Sequence, residues 1–458
     1  MHRSEGNAHT GRAIPPMIVL TTLFFMWGFM TVMNDVLVPH LRSVFTLSYF
    51  ESMLVQFAFF GAYFIGSLLY YSVSTHRGDP IQRVGYKRGL ISGLLLSALG
   101  SALFVPATFA EVYVLYLIAL FVLGLGFTLL QIAANPFVAI IGPPKGASGR
   151  LNLAQAFNSL GTTLAPLIGG ALIFEFFKGT NAVRWPYLFF ALLLVLQAIW
   201  VLFTALPEPP RAEMNTRSNA WGHPQLRRGV IAIFCYVGAE VTIGSLLISF
   251  LGLETILGMP ETSAKQYLSL YWGGAMTGRF LGAVALSTRL SAARRAPVLF
   301  GVGALLFLLL FLLNRYTGGL AWSHVWPMAV LITVNALIFL LSGDRPDLTL
   351  GRFALIAITL LAMASTTGGA WAMWALVAIG LFNSIMWSNI FTLAIDGLGH
   401  DTSQGSSLLV MMIVGGALIP PVQGAVADTS IGLQMSFLTL VPLYAYLAWY
   451  GLKGAKHT

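Results

Sequence analysis

The sequence predicts an all-α polytopic membrane protein of about fourteen transmembrane helices. They form two six-helix halves, with an extra helical hairpin in the second. Three observations predict this. Of 458 residues, 57% are hydrophobic and only 9% charged, and the mean hydropathy is +0.80; soluble domains carry roughly a quarter charged residues. Long apolar segments recur along the whole chain. An internal repeat links the two halves, and its offset changes partway through the second.

The segments fall near 17–40, 51–74, 88–107, 111–141, 150–174 and 185–206, then 229–252, 265–288, 296–314, 324–342, 351–367, 371–396, 404–427 and 432–452. Each approaches the ~20 residues needed to span a bilayer, with 351–367 the shortest reading. Residues 1–16 are polar, and the apolar run after them is too long for the core of a cleavable signal. With the N-terminus in the cytoplasm, nineteen Lys and Arg fall in cytoplasmic loops and termini. Five fall outside (Arg42, Lys178, Arg184, Lys265 and Arg315), and Arg279 lies within a span. That asymmetry predicts a multi-pass protein of the cell (inner) membrane with both termini cytoplasmic. The polar stretch Pro207–Arg228, with Pro207, Pro209 and Pro210, then reads as a cytoplasmic linker after six spans. The organisation expected is 1–206, linker 207–228, and a second half 229–458.

The net charge of +9 is spread over short loops between apolar segments, which calls for a lipid bilayer as partner and not nucleic acid. The single cysteine, Cys235, excludes an internal disulfide. A monomer is the expected state.

Gly161-x4-Pro166-x3-Gly170 matches Gly415-x4-Pro420-x3-Gly424 at an offset of 254, and Gly126, Asn135 and Phe137 match Gly380, Asn389 and Phe391 at the same offset. Gly61-x4-Gly66 pairs with Gly273-x4-Gly278 at 212. The difference of 42 residues is about two spanning helices with short turns, so one hairpin is expected between about residues 290 and 370, at the periphery. Two six-helix halves joined by a cytoplasmic linker resemble the major facilitator plan. There the first and fourth helices of each half line a central cavity and the halves rock around it.

Polar residues inside the spans locate the chemistry, because at membrane depth they must face a partner or a water-filled cavity. In Arg150-Leu-Asn152-Leu-Ala-Gln155-Ala-Phe-Asn158, three amides share one helix face. A cavity lined by amides and aromatics suits a polyhydroxylated solute. Gln155 and Asn158 lie deeper and are candidate sugar ligands; Asn152, near the surface, reads as well as a cap. Gln131 and Asn135 lie i, i+4 in the fourth span, before Pro136. Gln131 is expected to face solute, whereas Asn135 reads equally as part of a plain helix break. Trp387 with Asn383 would give a ring platform beside an amide, a way to hold a pyranose; Trp27 and Trp272 are weaker candidates.

Asp35 in the first span and Glu240 in the seventh are the clearest intramembrane carboxylates. An ionised carboxylate in hydrocarbon is costly, so each is neutral, paired or hydrated, and either could carry a cation across. The bland alternative is a structural hydrogen-bond partner. Asn34, Asn135, Arg279 and Pro420 read as gating or structural residues, with Arg279 as a latch to an acid or a helix C-terminus. HExxH, P-loop and surface catalytic clusters are absent, so the chain is not read as an enzyme, and no cofactor is expected beyond a coupling ion.

These motifs together carry a family resemblance. Asn34-Asp35-Val-Leu-Val-Pro39, Ala133-Ala-Asn135-Pro136-Phe137, Gly142-Pro143, Arg150 through Gly161 and Cys235-Tyr-Val-Gly-Ala239 resemble the fucose–galactose–glucose:proton symporter family. Gly238-Ala-Glu240-Val, Gly380-Leu-Phe-Asn383-Ser-Ile-Met and Gly405-Ser-Ser are similar to its glucose/galactose branch. The resemblance covers nearly the whole chain apart from the hairpin. It implies hexose import by alternating access, coupled to H⁺ through Asp35, with Gln155 and Asn158 on the sugar and Trp387 in place of a cavity tyrosine. The fucose-transporting members carry glutamate where this chain has Gln131 and glutamine where it has Glu240, so Glu240 is expected to take over the second charge. Two carboxylates could also hold Na⁺, and some animal relatives are described as sodium-driven. A Na⁺-coupled hexose symporter or an N-acetylhexosamine permease is therefore the alternative. A polytopic membrane enzyme or a transporter-like sugar sensor is the reading from another class, the sensor needing a longer tail than Gly451–Thr458.

Overall fold

The computed structural model describes residues 16–77, 80–141, 147–177, 179, 181–206, 220–286, 290–343, 345–398 and 402–455. The linker residues 207–219, Gly142-Pro143 and the side chain of Asn152 lie outside the described residues. Apolar segments without water to bond must satisfy their backbone internally, and helices do so within one segment. The chain accordingly folds as fourteen helical rods, with no strand among the described residues.

The first six are α1 (Pro16–Phe45), α2 (Tyr49–Arg77), α3 (Tyr86–Ala102 continued by Phe104–Ala110), α4 (Tyr113–Ile140), α5 (Ala147–Gly170 continued by a π-helical Ala171–Phe176) and α6 (Arg184–Phe203). Then follow α7 (Pro224–Leu251), α8 (Glu261–Ala285), α9 (Ala292–Gly318), α10 (Trp322–Ser342) and α11 (Pro346–Thr366). The last three are α12 (Gly369–Asn383 and Met386–Ile395), α13 (Thr402–Met411, a 3₁₀ turn at Met412–Val414, then Gly415–Ala427) and α14 (Gly432–Ser436 through Tyr450–Gly454).

Among the described residues, thirteen helices are long and apolar enough to cross a membrane. The rod outside that set is α8, which has 25 residues but carries Lys265, Gln266 and Arg279. It is sheltered rather than lipid-facing: most of its length is buried, and Gly273, Gly274, Gly278 and Gly282 admit side chains of α9, α10 and α12.

The two groups of rods pack alike. In the first, α1 lies on α5, α3 on α4 and α6, and α2 on α4; in the second, α7 lies on α13, α11 on α12 and α14, and α8 on α12. The repeat glycines sit at matching crossings. A Cβ on Gly161 would strike the Phe25 carbonyl of α1, and one on Gly415 the Phe234 carbonyl of α7. In this correspondence α11, and not α9, stands where α3 stands. The α9–α10 pair packs on the outside of α8. Only 28% of the α9 span is buried, against 89% of α7.

Three features depart from a plain reading of apolar segments. The segment read as 351–367 is a 21-residue helix beginning at Pro346, with proline and Asp347 in the first turn. The segment read as 371–396 is interrupted at Ser384–Ile385. The helix runs through Pro420 and Pro421, and its change of pitch lies upstream at Met412–Val414.

Candidate functional site

The halves meet along α1–α7, α2–α13 and α5–α8. Two buried polar clusters occupy this seam. The first surrounds Asp35 on α1, only 3% exposed and about 15 Å from the end of α1 at Phe45. Ser245 Oγ donates to its Oδ1 at 2.9 Å and Gln56 Nε2 to the same oxygen at 3.0 Å; Trp272 Nε1 donates to Oδ2 at 3.1 Å. Gln56 Nε2 also donates to Ser245 Oγ at 2.7 Å. These groups come from α2, α7 and α8, so four rods from both halves converge on one carboxyl group. Charge-assisted bonds of this kind are the stronger class, and burial makes each more consequential.

The second cluster lies farther toward the linker end. Glu240 on α7 faces Arg279 on α8, Oε1 to Nη2 3.9 Å. Arg279 Nη1 donates to Ser159 Oγ of α5 at 2.6 Å, crossing the seam, and its Nε donates to the Ser384 carbonyl at 3.2 Å. That carbonyl belongs to the interruption in α12. Behind Glu240 runs a chain of hydrogen bonds. Tyr444 Oη donates to Asn383 Oδ1 at 2.8 Å, Asn383 Nδ2 to Tyr271 Oη at 3.2 Å, and Tyr271 Oη to the Glu240 carbonyl at 3.1 Å.

The other sequence candidates lie as follows. Asn158 is half-buried and donates to the Phe24 carbonyl at 3.0 Å. Gln155 is half-buried one turn from it. Trp387 is half-buried and stacks on Phe391 with ring centroids 6.2 Å apart. Asn383 is fully buried, with its amide bonded to two tyrosines. Asn34, Gln131 Oε1 and Asn135 Oδ1 hold buried polar atoms with no partner among the described residues. Groups like these at membrane depth call for water or solute. Pro420 is buried in α13. Among the described residues, no group of three or more His, Cys, Asp or Glu could hold a metal ion.

The end of the molecule where α1 meets α2 is bridged as well. Asp428, at the C-terminus of α13, accepts the Tyr49 and Phe50 amides at 2.7 Å each and so caps α2 from the other half. Lys265 pairs with Glu175 on the π-helical end of α5. Placing Lys265 in a loop, as charge counting does, is corrected here: it lies in α8, 1% exposed, its stem against Gly170.

Sequence reasoning passed over Gln56, Ser245, Tyr271, Tyr444 and Asp428, and ranked Trp272 low. Gln56 carried a usable signal, a lone amide inside an apolar segment like Gln131. Ser245, Tyr271 and Tyr444 carried none, since such residues fill many membrane helices without a special role.

A model of the Major Facilitator Superfamily matches residues 18–343. A glucose/galactose transporter of Brucella abortus biovar 1 is 44% identical over 449 residues, covering 95% of this chain and 93% of that one. The L-fucose-proton symporter of Escherichia coli is 32% identical over 447 residues, covering 91% and 88%. Among solved structures, a Major Facilitator Superfamily transporter, FucP, in the outward conformation, superposes with a TM-score of 0.65 at 29% identity, over 97% of this chain and 99% of that one.

Proposed function

This chain belongs to the Major Facilitator Superfamily, and from that premise we propose that it is a secondary transporter importing a hexose of the glucose or galactose type, coupled to H⁺ through Asp35. The observation that carries the reading is the ring of donors on Asp35, drawn from both halves. Gln56 stays with the first half; Ser245 and Trp272 belong to the second. Separating the halves at this level removes two of three donors, so the charge on Asp35 and the position of the gate are linked. That linkage is what a symporter needs.

The donor set also favours H⁺ over Na⁺. Sodium wants several oxygen acceptors, whereas Asp35 meets an indole N–H, an amide N–H and a hydroxyl already donating. Glu240 serves as the second charge, held by Arg279, whose reach to Ser159 makes it a latch between halves. Gln155, Asn158, Gln131 and Trp387 are the sugar-facing set, with hydroxyls on amides and the apolar ring face on the indole. Asn383 supports that set from behind. The linker end lies in the cytoplasm, with both termini, and the Asp428 and Lys265 bridges form the outer gate. The halves are residues 1–206 and 224–458, joined by 207–223, since α7 takes in Pro224–Arg228, which the sequence reading places in the linker, and α9–α10 is an insertion in the second.

The support from relatives is twofold: a relative named as a glucose/galactose transporter at 44% identity, and one named as a proton symporter at 32%. The deciding experiment is uptake of labelled glucose or galactose into proteoliposomes under an inward pH gradient, with and without Na⁺. Accumulation driven by pH alone is expected. Accumulation requiring Na⁺ would overturn the proton assignment, and no hexose uptake under either gradient would overturn the substrate.

A further inference from the structure

The hairpin α9–α10 has no counterpart in the first half, yet one of its residues reaches the interruption in α12. Asn335 on α10 is fully buried, on a face it shares with Met328, Ile332, Phe339 and Ser342. Its Nδ2 donates to the Leu381 carbonyl at 3.3 Å. That carbonyl also accepts Ser384 Oγ at 2.7 Å. The interruption at Ser384–Ile385 breaks the regular ladder, so carbonyls there need donors from elsewhere. One is met by Asn335 from the hairpin and another, on Ser384, by Arg279 from the seam. A second line of contact runs beside the first. Phe339 of α10 packs edge-on against Phe353 of α11 at 5.0 Å, and Phe353 against Phe382 of α12 at 5.2 Å. Beyond the break come Met386, Trp387 and Ser388, the last exposed.

We propose that Asn335 is a positioning residue: by holding the Leu381 carbonyl it fixes the angle between the two parts of α12 and so sets where Trp387 and Ser388 stand. The hairpin is thus a brace on an interrupted helix, applied from outside the transport path. Its effect on sugar affinity rests on the reading of Trp387 as a sugar-facing ring; its effect on the geometry of α12 does not.

The test uses the lone natural thiol to advantage. In a Cys235→Ser, Ser388→Cys chain, the reporter is the single cysteine. Asn335→Leu keeps the branching at Cγ, though it is the larger side chain, and removes both the donor and its unpartnered Oδ1, so assembly is expected to survive. Asn335→His restores an N–H near the same place. Asn335→Leu is expected to change the maleimide labelling rate at the reporter, and to raise the hexose KM, by about three- to tenfold each. Vmax should hold within about twofold, and Asn335→His should recover both values. In a Trp387→Ala background the KM effect of Asn335→Leu should vanish, since the two act in series.

Unchanged labelling in Asn335→Leu overturns the proposal, whatever KM does. Changed labelling with unchanged KM upholds the brace and removes Trp387 from the sugar site. Where the leucine variant does not assemble, Asn335→Ser, too short to reach the carbonyl, gives the same two readings.

Discussion

Asp35 and Glu240 are both buried carboxyl groups on the opening helix of a half, and their surroundings differ in a way that assigns them different work. Three neutral donors hold Asp35, two of them from the opposite half. Glu240 faces a cation of its own half at 3.9 Å, and that cation's bond to Ser159 links it to the other half. A charge held by neutral donors can be given up and regained as those donors move. A charge held by a fixed cation stays, because an isolated buried cation is costly. On the function proposed above, the contrast gives Asp35 the proton exchange and leaves Glu240 to anchor Arg279.

The strongest attempt to break this contrast is Asp35→Asn. An inward gradient of one pH unit is worth about 1.4 kcal/mol, a roughly tenfold accumulation at one H⁺ per sugar. The variant should fall to simple equilibration while keeping sugar exchange, measured by counterflow. Concentrative uptake by Asp35→Asn would dissolve the distinction between the two acids.

Arg279→Met comes next. It leaves Glu240 without its cation, and removing one member of a buried pair costs about 3–5 kcal/mol. Partial exposure of Arg279 and the long separation put this pair at the low end. Thermal unfolding in detergent should drop, and adding Glu240→Gln should recover most of the loss. No recovery would mean that the bonds to Ser159 and Ser384, and not Glu240, are what Arg279 supplies.

Gln155→Ala sharpens the comparison from the sugar side. It should raise the hexose KM by about five- to tenfold, the value of one hydrogen bond to a ligand, with coupling intact. A change in the H⁺-to-sugar ratio would tie this amide to the Asp35 cluster instead. The smallest effect belongs to Asp428→Asn. Weakening one helix cap costs about 1 kcal/mol, a shift of about fivefold toward separation of the ends that it joins. Labelling of a cysteine placed at Ser249, near the end of α7 distant from the linker, should speed up accordingly.

Much of the fold could be read from the sequence, because apolar length and charge placement are averages over many residues. The hairpin followed from a change in repeat offset, and the rods α9 and α10 fall inside the interval it predicted. The interruption of α12 was not legible: Asn383-Ser-Ile-Met carries neither glycine nor proline, and the carbonyls around the break accept from α8 and α10, distant in sequence. The site divides in the same way. Carboxylates and amides in spans announce themselves by their cost, so Asp35, Glu240, Gln155 and Asn158 stood out. Their partners did not, because a serine or tyrosine at membrane depth is cheap. Asn383 was conspicuous by residue type, yet its amide turned out to bond two tyrosines. Type alone does not tell a ligand from a strut.

One feature of α8 reaches past the finished structure to how it is made. A charged side chain at the middle of a helix opposes entry into lipid by about 2.5–3.5 kcal/mol, and by less toward either end. Carrying Lys265 near its start and Arg279 in its last third, α8 inserts poorly as an independent segment. The segments on either side, α7 and α9, are strongly apolar and long enough to span. Glu175 and Ser159 lie on α5, which precedes α8 in the chain, so both are in place when α8 is made and α8 should enter the bilayer against them. Glu175→Ala combined with Ser159→Ala should lower the share of chains in which α8 inserts. The chain's least apolar rod thus serves as a checkpoint at which the second half commits to the first.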